Sequence, residues 1–184
     1  MIRQLNSALN EALTSAIAEQ HKDLWQWYLL QQEALILHEY ALAQQLWSVF
    51  ATGLQQHIEF ENRQLFATTM IEQHAWRWPA SLYIKEHQKI LSLMQKISDR
   101  YEAFITLTGR RQRIAILELL EQQMQFRQVL EHHEAREEQD ALQHLQLTTE
   151  ASGYAEDIWQ DWLLSSAWQQ QYRDLLAQVK QQFE

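Results

Sequence analysis

Apolar residues recur three and four positions apart along most of the chain, the spacing of one buried helical face. Leu9, Leu13, Ile17, Leu24 and Tyr28 form a first stripe, which predicts a helix capped at Ser7 or Asn10 and running to about Leu37. No Gly or Pro marks the turn that must follow, so it is expected loosely around His38-Glu39-Tyr40. A second helix then runs from about Ala41 to Met70, with Leu46, Phe50, Gly53, His57 and Glu61 on or near one stripe. Pro79 suits the first turn of a third helix, where its missing N–H costs nothing. That helix carries Tyr83, His87, Ile90, Leu91 and Met94 and is expected to end near Leu107, with Thr108-Gly109 as a glycine cap. A fourth helix spans roughly Arg111 to Gln146 and holds His133 and Glu137. After a polar turn from Thr148 to Gly153, the residues Ile158, Trp162, Tyr172, Leu175, Val179 and Phe183 keep helical spacing. This tail is too apolar to stand free and is expected to dock on the bundle or on a second subunit.

The fold class predicted is all-α: an antiparallel up-down four-helix bundle over 1–147 with an additional C-terminal amphipathic helix over 148–184. Composition agrees, since 3 Gly and 1 Pro in 184 residues leave out the turn-rich signature of an all-β chain. The formal charge of −9 and the absence of any basic run longer than Gly109-Arg-Arg-Gln-Arg113 argue against a nucleic-acid partner, which needs a positive stripe to neutralise phosphates. The lack of Cys removes disulfides, thiolate metal sites and thiol nucleophiles. The first residues lack the basic-then-apolar run of a secretory signal, and no stretch is long and apolar enough to span a bilayer. A cytoplasmic protein without a membrane partner is the expectation.

Two stretches say nearly the same thing twice: His57-Ile-Glu-Phe-Glu61-Asn62 and His133-Glu-Ala-Arg-Glu137-Glu138. Each sets a histidine and a carboxylate four residues apart, on one face of a helix and one turn apart. Such a pair offers a nitrogen and an oxygen to one metal ion. Upstream of each lies a further histidine, in Glu19-Gln20-His21 and in Lys85-Glu86-His87. One such pair in a chain with 24 acids is about what chance supplies. The order histidine helix, HxxxE helix, histidine helix, HxxxE helix is what points to two metals inside a bundle. The separations, 36 residues from His21 to His57 and 46 from His87 to His133, each fit a half-helix, a turn and a half-helix. Without thiolates, imidazole and carboxylate suit iron, manganese or zinc. His132 also stands near Glu137, but His133 is preferred because a four-residue spacing aligns better on a regular helix. His74 is the reserve histidine, and His38 and His144 read as surface or turn residues. Gly53, one turn before His57, reads either as space beside the metals or as a close helix crossing.

In Glu-Gln-His21-Lys, His57-xxx-Glu61, Lys-Glu-His87-Gln-Lys-Ile and His133-xxx-Glu137, taken over about Ile17 to Leu145, the chain resembles the hemerythrin-like, or HHE cation-binding, family. The resemblance implies that His21, His57, His87 and His133 are terminal ligands and that Glu61 and Glu137 bridge two non-haem iron ions in an Fe–O–Fe type centre. Oxygen-carrying members have an HxxxH pair on the third helix, whereas Tyr83 stands four residues before His87. A tyrosine there ligates iron, hydrogen-bonds a bound ligand, or packs.

The function this implies is a di-iron protein binding O2 or a related small diatomic or peroxide ligand, in oxygen or redox sensing or iron handling. Two rivals stand beside it. One is a di-iron oxidase, peroxidase or nitric oxide-handling protein, and the other is a metal-free helical interaction protein. The tail leaves a homodimer through the C-terminal helix as a further expectation.

Overall fold

A computed structural model describes residues 2–66, 75–104, 106–145, 157–158 and 160–162, with the side chains of 2–7 and 9 excepted. Those residues are all helical or in turns, with no strand among them. Four α-helices follow one another: α1 (Ile2–Ile36), α2 (Tyr40–Glu61), α3 (Ala80–Phe104) and α4 (Gly109–Arg136). Among the described residues, no helix is long and apolar enough to cross a membrane.

The helix ends differ in places from what periodicity predicts. Helix α1 begins at Ile2, so Ser7 and Asn10 lie inside it rather than at its cap. It ends at Ile36, and His38 takes the left-handed backbone, φ 64°, that a glycine normally supplies after a helix. That is how the chain turns without Gly or Pro. Helix α3 stops at Phe104, short of Leu107. Gly109, with φ 62°, opens α4 instead of closing α3. Helices α2 and α4 both end earlier than expected as α-helices, each passing directly into one wide π-turn, Asn62–Phe66 and Glu137–Ala141. Such turns insert an extra residue into the helical ladder and cluster at functional sites.

Side-chain contacts fall in reverse order along neighbouring helices. His21 meets His57 and Tyr28 meets Phe50 across α1 and α2. His87 meets His133 and Arg100 meets Glu118 across α3 and α4. The apolar interior is in two parts. The larger contains Leu24, Tyr28, Trp47, Phe50, Leu54, Ile90, Met94, Phe126 and Leu130. The smaller contains Leu13, Ile17, Phe60, Leu65, Phe66, Trp76, Tyr83, Leu142, Ile158 and Trp162. The residues that belong to neither apolar part, yet are almost fully buried, include His21, His57, Glu61, His87, His133 and Glu137.

The tail is described only at 157–158 and 160–162, where Ile158 and Trp162 are buried. Trp162 meets Phe60 edge to face at 5.0 Å, and Asp161 accepts from Arg63 and Gln64. Tyr172, Leu175, Val179 and Phe183 lie outside the described residues.

Candidate metal centre

Each half of the chain contributes the same set of groups. In the first, α1 supplies His21 and the end of α2 supplies His57 and Glu61. In the second, α3 supplies His87 and the end of α4 and its π-turn supply His133 and Glu137. All six are between 0% and 3% exposed. His21 Nε2 lies 3.0 Å from His57 Nε2, and His87 Nε2 lies 2.8 Å from His133 Nε2.

Glu61 stands between the two pairs. Its Oε1 is 2.8 Å from His57 Nε2 and 3.9 Å from His21 Nε2, while its Oε2 is 3.3 Å from His87 Nε2. Glu137 Oε2 likewise lies 3.7 Å from His21 Nε2 and 3.5 Å from His133 Nε2. Two groups of ligand atoms result, His21–His57–Glu61–Glu137 and Glu61–His87–His133, with Glu61 common to both. Either group could hold a metal ion.

The opposite ring nitrogens explain why the Nε2 atoms face inward. Each Nδ1 meets an acceptor: His57 meets Gln20 Oε1 at 2.8 Å, and His87 meets Asn62 Oδ1 at 2.8 Å. His21 meets Glu138 Oε1 at 2.9 Å, and His133 meets Glu86 Oε2 at 3.2 Å. Carboxylates and amide oxygens only accept, so each Nδ1 donates its hydrogen, and in a neutral ring the Nε2 lone pair is left free. The arrangement repeats between the halves. The residue just before the first histidine, Gln20 or Glu86, holds the second histidine of its own half. The residue just after the carboxylate, Asn62 or Glu138, holds the first histidine of the other half.

This donor set fits a metal. Two imidazole lone pairs about 3 Å apart repel unless a cation or proton stands between them. None of the four oxygens of Glu61 and Glu137 makes a well-formed hydrogen bond among the described residues, although ring nitrogens of His57 and His87 lie 2.8 Å and 3.3 Å from Glu61. Ionised carboxylates so placed are costly to bury unless they are paired or coordinated.

Burial and neighbouring charges push the titration of these groups apart. Burial lowers His57, and burial together with the neighbouring His87 pushes His133 down to about 3. Burial opposes the charge on His21 too, but the carboxylates of Glu138 and Glu61 override it and raise the ring well above its ordinary value. The two central acids part in the same way. Burial would raise Glu61, yet His57, His21 and His87 hold it well below the usual carboxylate range. Burial and the charge of Glu61 hold Glu137 well above that range.

Other residues singled out by sequence fall outside the cluster. Tyr83 stacks on Phe66 at 4.8 Å, meets the His133 ring edge to face at 6.4 Å, and donates its hydroxyl to Asp140 Oδ2 at 2.8 Å. His132 is exposed, His144 is bonded to the Asp140 carbonyl, and His74 lies outside the described residues. Gly53 is buried in α2.

Two kinds of residue escape a reading of spacing. Gln20, Asn62, Glu86 and Glu138 flank the motif positions directly, and that adjacency is the one signal in the sequence for their role. Glu134, in the middle of the second HxxxE, is 7% exposed, accepts from Trp25 Nε1 at 2.5 Å, and is pushed by burial up to about 7.

Comparison with protein families, with curated proteins and with solved structures finds no match for this chain.

Proposed function

We propose that the chain is a hemerythrin-like antiparallel four-helix bundle whose buried cluster holds two non-haem iron ions and binds O2 or a related small ligand. The observation that carries this reading is the convergence of four imidazole Nε2 atoms on two buried carboxylates, with every Nδ1 anchored from behind. The reverse order of contacts along neighbouring helices supports the bundle.

In this reading His21 and His57 would hold one ion and His87 and His133 the other, with the carboxylates of Glu61 and Glu137 offered to both. Two irons so bound would supply one-electron chemistry toward a small oxidant at neutral pH. The protein's own part is positional and electrostatic. Glu138 stands behind His21 and raises its basicity, while Gln20, Asn62 and Glu86 accept from the Nδ1 of His57, His87 and His133 and fix how those rings face. Phe60, Phe66 and Trp162 form apolar contacts beside the histidines and exclude water there. Glu134, 93% removed from solvent and with one oxygen unpaired, is placed to hold or give up a proton beside His21.

The test is anaerobic loading with Fe(II), followed by metal analysis and visible absorption before and after O2. About two irons per chain and a ferric charge-transfer band, both lost in Glu61→Ala, are expected. Failure of the loaded protein to retain iron would overturn the reading. Reversal of the band on removing O2 would mark a carrier or sensor, and catalytic consumption of peroxide would mark an enzyme.

A further inference from the structure

Outside the buried cluster, two arginines and two histidines come together around one cavity. A cavity of about 420 Å³ is lined by Arg77, Trp78, His132, Arg136, Asp140 and His144. This is within the usual size of a small-molecule site. Two guanidinium groups and two imidazoles share one cavity with a single carboxylate in its lining, on a chain whose formal charge is −9.

The details favour an oxyanion. The guanidinium of Arg77 lies 5.0 Å from the centre of the Trp78 ring and that of Arg136 lies 5.6 Å from it. Stacking against a ring fixes a guanidinium's plane and leaves its edge, where the N–H donors are, free to meet a planar or tetrahedral oxyanion. Arg77 makes no ion pair with any described residue. The one carboxylate in the lining is already committed. Asp140 Oδ1 accepts from the Arg77 backbone N–H at 2.8 Å, and Oδ2 accepts from the Trp78 N–H at 3.1 Å and from Tyr83 at 2.8 Å. Its oxygens are therefore occupied by donors that shape the cavity wall and form no side-chain ion pair with Arg77.

We propose that this cavity binds a small oxyanion, a phosphate or carboxylate group held chiefly by Arg77 and Arg136. It is also wired to the buried cluster. Arg136 donates to Glu86, and the other oxygen of Glu86 meets His133 Nδ1 at 3.2 Å. An anion that draws on Arg136 leaves more of the Glu86 charge to His133. This second part rests on the metal-centre reading above, whereas anion binding does not.

Titration calorimetry on the chelator-stripped protein, with inorganic phosphate in one series and succinate in another, tests the pocket without any metal. Saturable binding of at least one of the two is expected, and the better ligand names the source of the oxyanion. Because Arg77 is exposed and its guanidinium lies over the Trp78 ring rather than in the core, Arg77→Gln should fold as the wild type does, checked by far-UV circular dichroism. It should bind about tenfold more weakly or worse, the loss of one charge-assisted contact. No saturable binding of either anion, or equal binding by Arg77→Gln, would overturn the pocket. For the coupling, metal affinity measured with and without the anion should differ in the wild type and not in Arg77→Gln. An unchanged metal affinity would overturn the coupling alone, and a protein that takes up no metal would overturn the coupling together with the metal-centre reading.

Discussion

Asn62 Oδ1 lies 2.8 Å from His87 Nδ1, which ties the residue after Glu61 to a histidine of another helix. The π-turn that begins at Asn62 is part of how this happens, because a wide turn shifts the direction of the side chains relative to a continuing α-helix. Asn62 therefore orients one ligand while its neighbour Glu61 supplies another. Replacing it should loosen the centre without unfolding the bundle. Asn62→Leu is expected to lower metal affinity about 10–100-fold, and Asn62→Asp, which keeps an acceptor, should stay close to the wild type. Competition titration against a chromophoric chelator measures this, and equal affinities for Leu and Asp would remove Asn62 from the centre.

A second prediction concerns Glu137, whose carboxyl is raised well above the usual carboxylate range in the metal-free protein by burial and by Glu61, which favours its protonated form. Glutamine resembles the protonated acid, so Glu137→Gln should leave metal-free stability nearly unchanged. Metal at a hundred times its dissociation constant should stabilise the wild type by about 2.7 kcal/mol. For a domain of this size that raises the unfolding midpoint by roughly 5–10 °C. The variant should lose most of that rise. Thermal unfolding with and without metal, and with a chelator added back, gives the comparison, and a full rise in Glu137→Gln would show that Glu137 is no ligand.

The histidines and glutamates of the centre were legible in sequence because a four-residue spacing has a fixed meaning on a helix. His57 with Glu61, and His133 with Glu137, share a face whatever the rest of the bundle does. The exposed position of His132 follows from the same geometry, one residue being a rotation of about 100°. Other features have no such local signature. A π-turn adds a residue to the ladder without any characteristic composition, so Asn62–Phe66 and Glu137–Ala141 read as plain helix. The left-handed His38 hid the first turn because that backbone is normally marked by glycine. Gln20, Asn62, Glu86 and Glu138 sit beside the motif residues, yet which histidine each one holds depends on packing between helices. Tyr83 could be assigned only once Asp140, 57 residues away, was seen to accept its hydroxyl.

Asp140 gives a prediction in pH. Burial alone would raise its carboxyl, but the backbone N–H of Arg77, the Tyr83 hydroxyl and the N–H of Trp78 outweigh burial and hold it below its ordinary value of 3.8. A group lowered on folding stabilises the protein fully above its unfolded value, and that contribution is lost as pH falls through the folded one. Asp140→Asn keeps one acceptor oxygen for three donors. It should cost about 1–3 kcal/mol at neutral pH, and the gap to wild type should close below about pH 4. Urea midpoints of the two proteins across pH 3–7 provide the check, and a constant gap would mean that the carboxylate's charge plays no part.

Trp162 and Arg63 separate two ways in which the described part of the tail could matter. Trp162 is 4% exposed, meets Phe60 at 5.0 Å and lies 6.5 Å from the ring of His57, so it is both a packing anchor and part of the apolar surroundings of the centre. Arg63 pairs with Asp161 through 2.7 Å and 2.8 Å contacts, but its side chain is 55% exposed. Ion pairs in water contribute about 0–1 kcal/mol, whereas truncating a buried tryptophan costs about 3–5 kcal/mol. Arg63→Ala should therefore leave unfolding almost unchanged, while Trp162→Ala should destabilise strongly and admit water beside His57. In the metal-loaded protein the second change should also speed metal release to a chelator. If Trp162→Ala unfolds normally and releases metal at the wild-type rate, the contact with Phe60 and His57 is incidental and the tail does not belong to the centre.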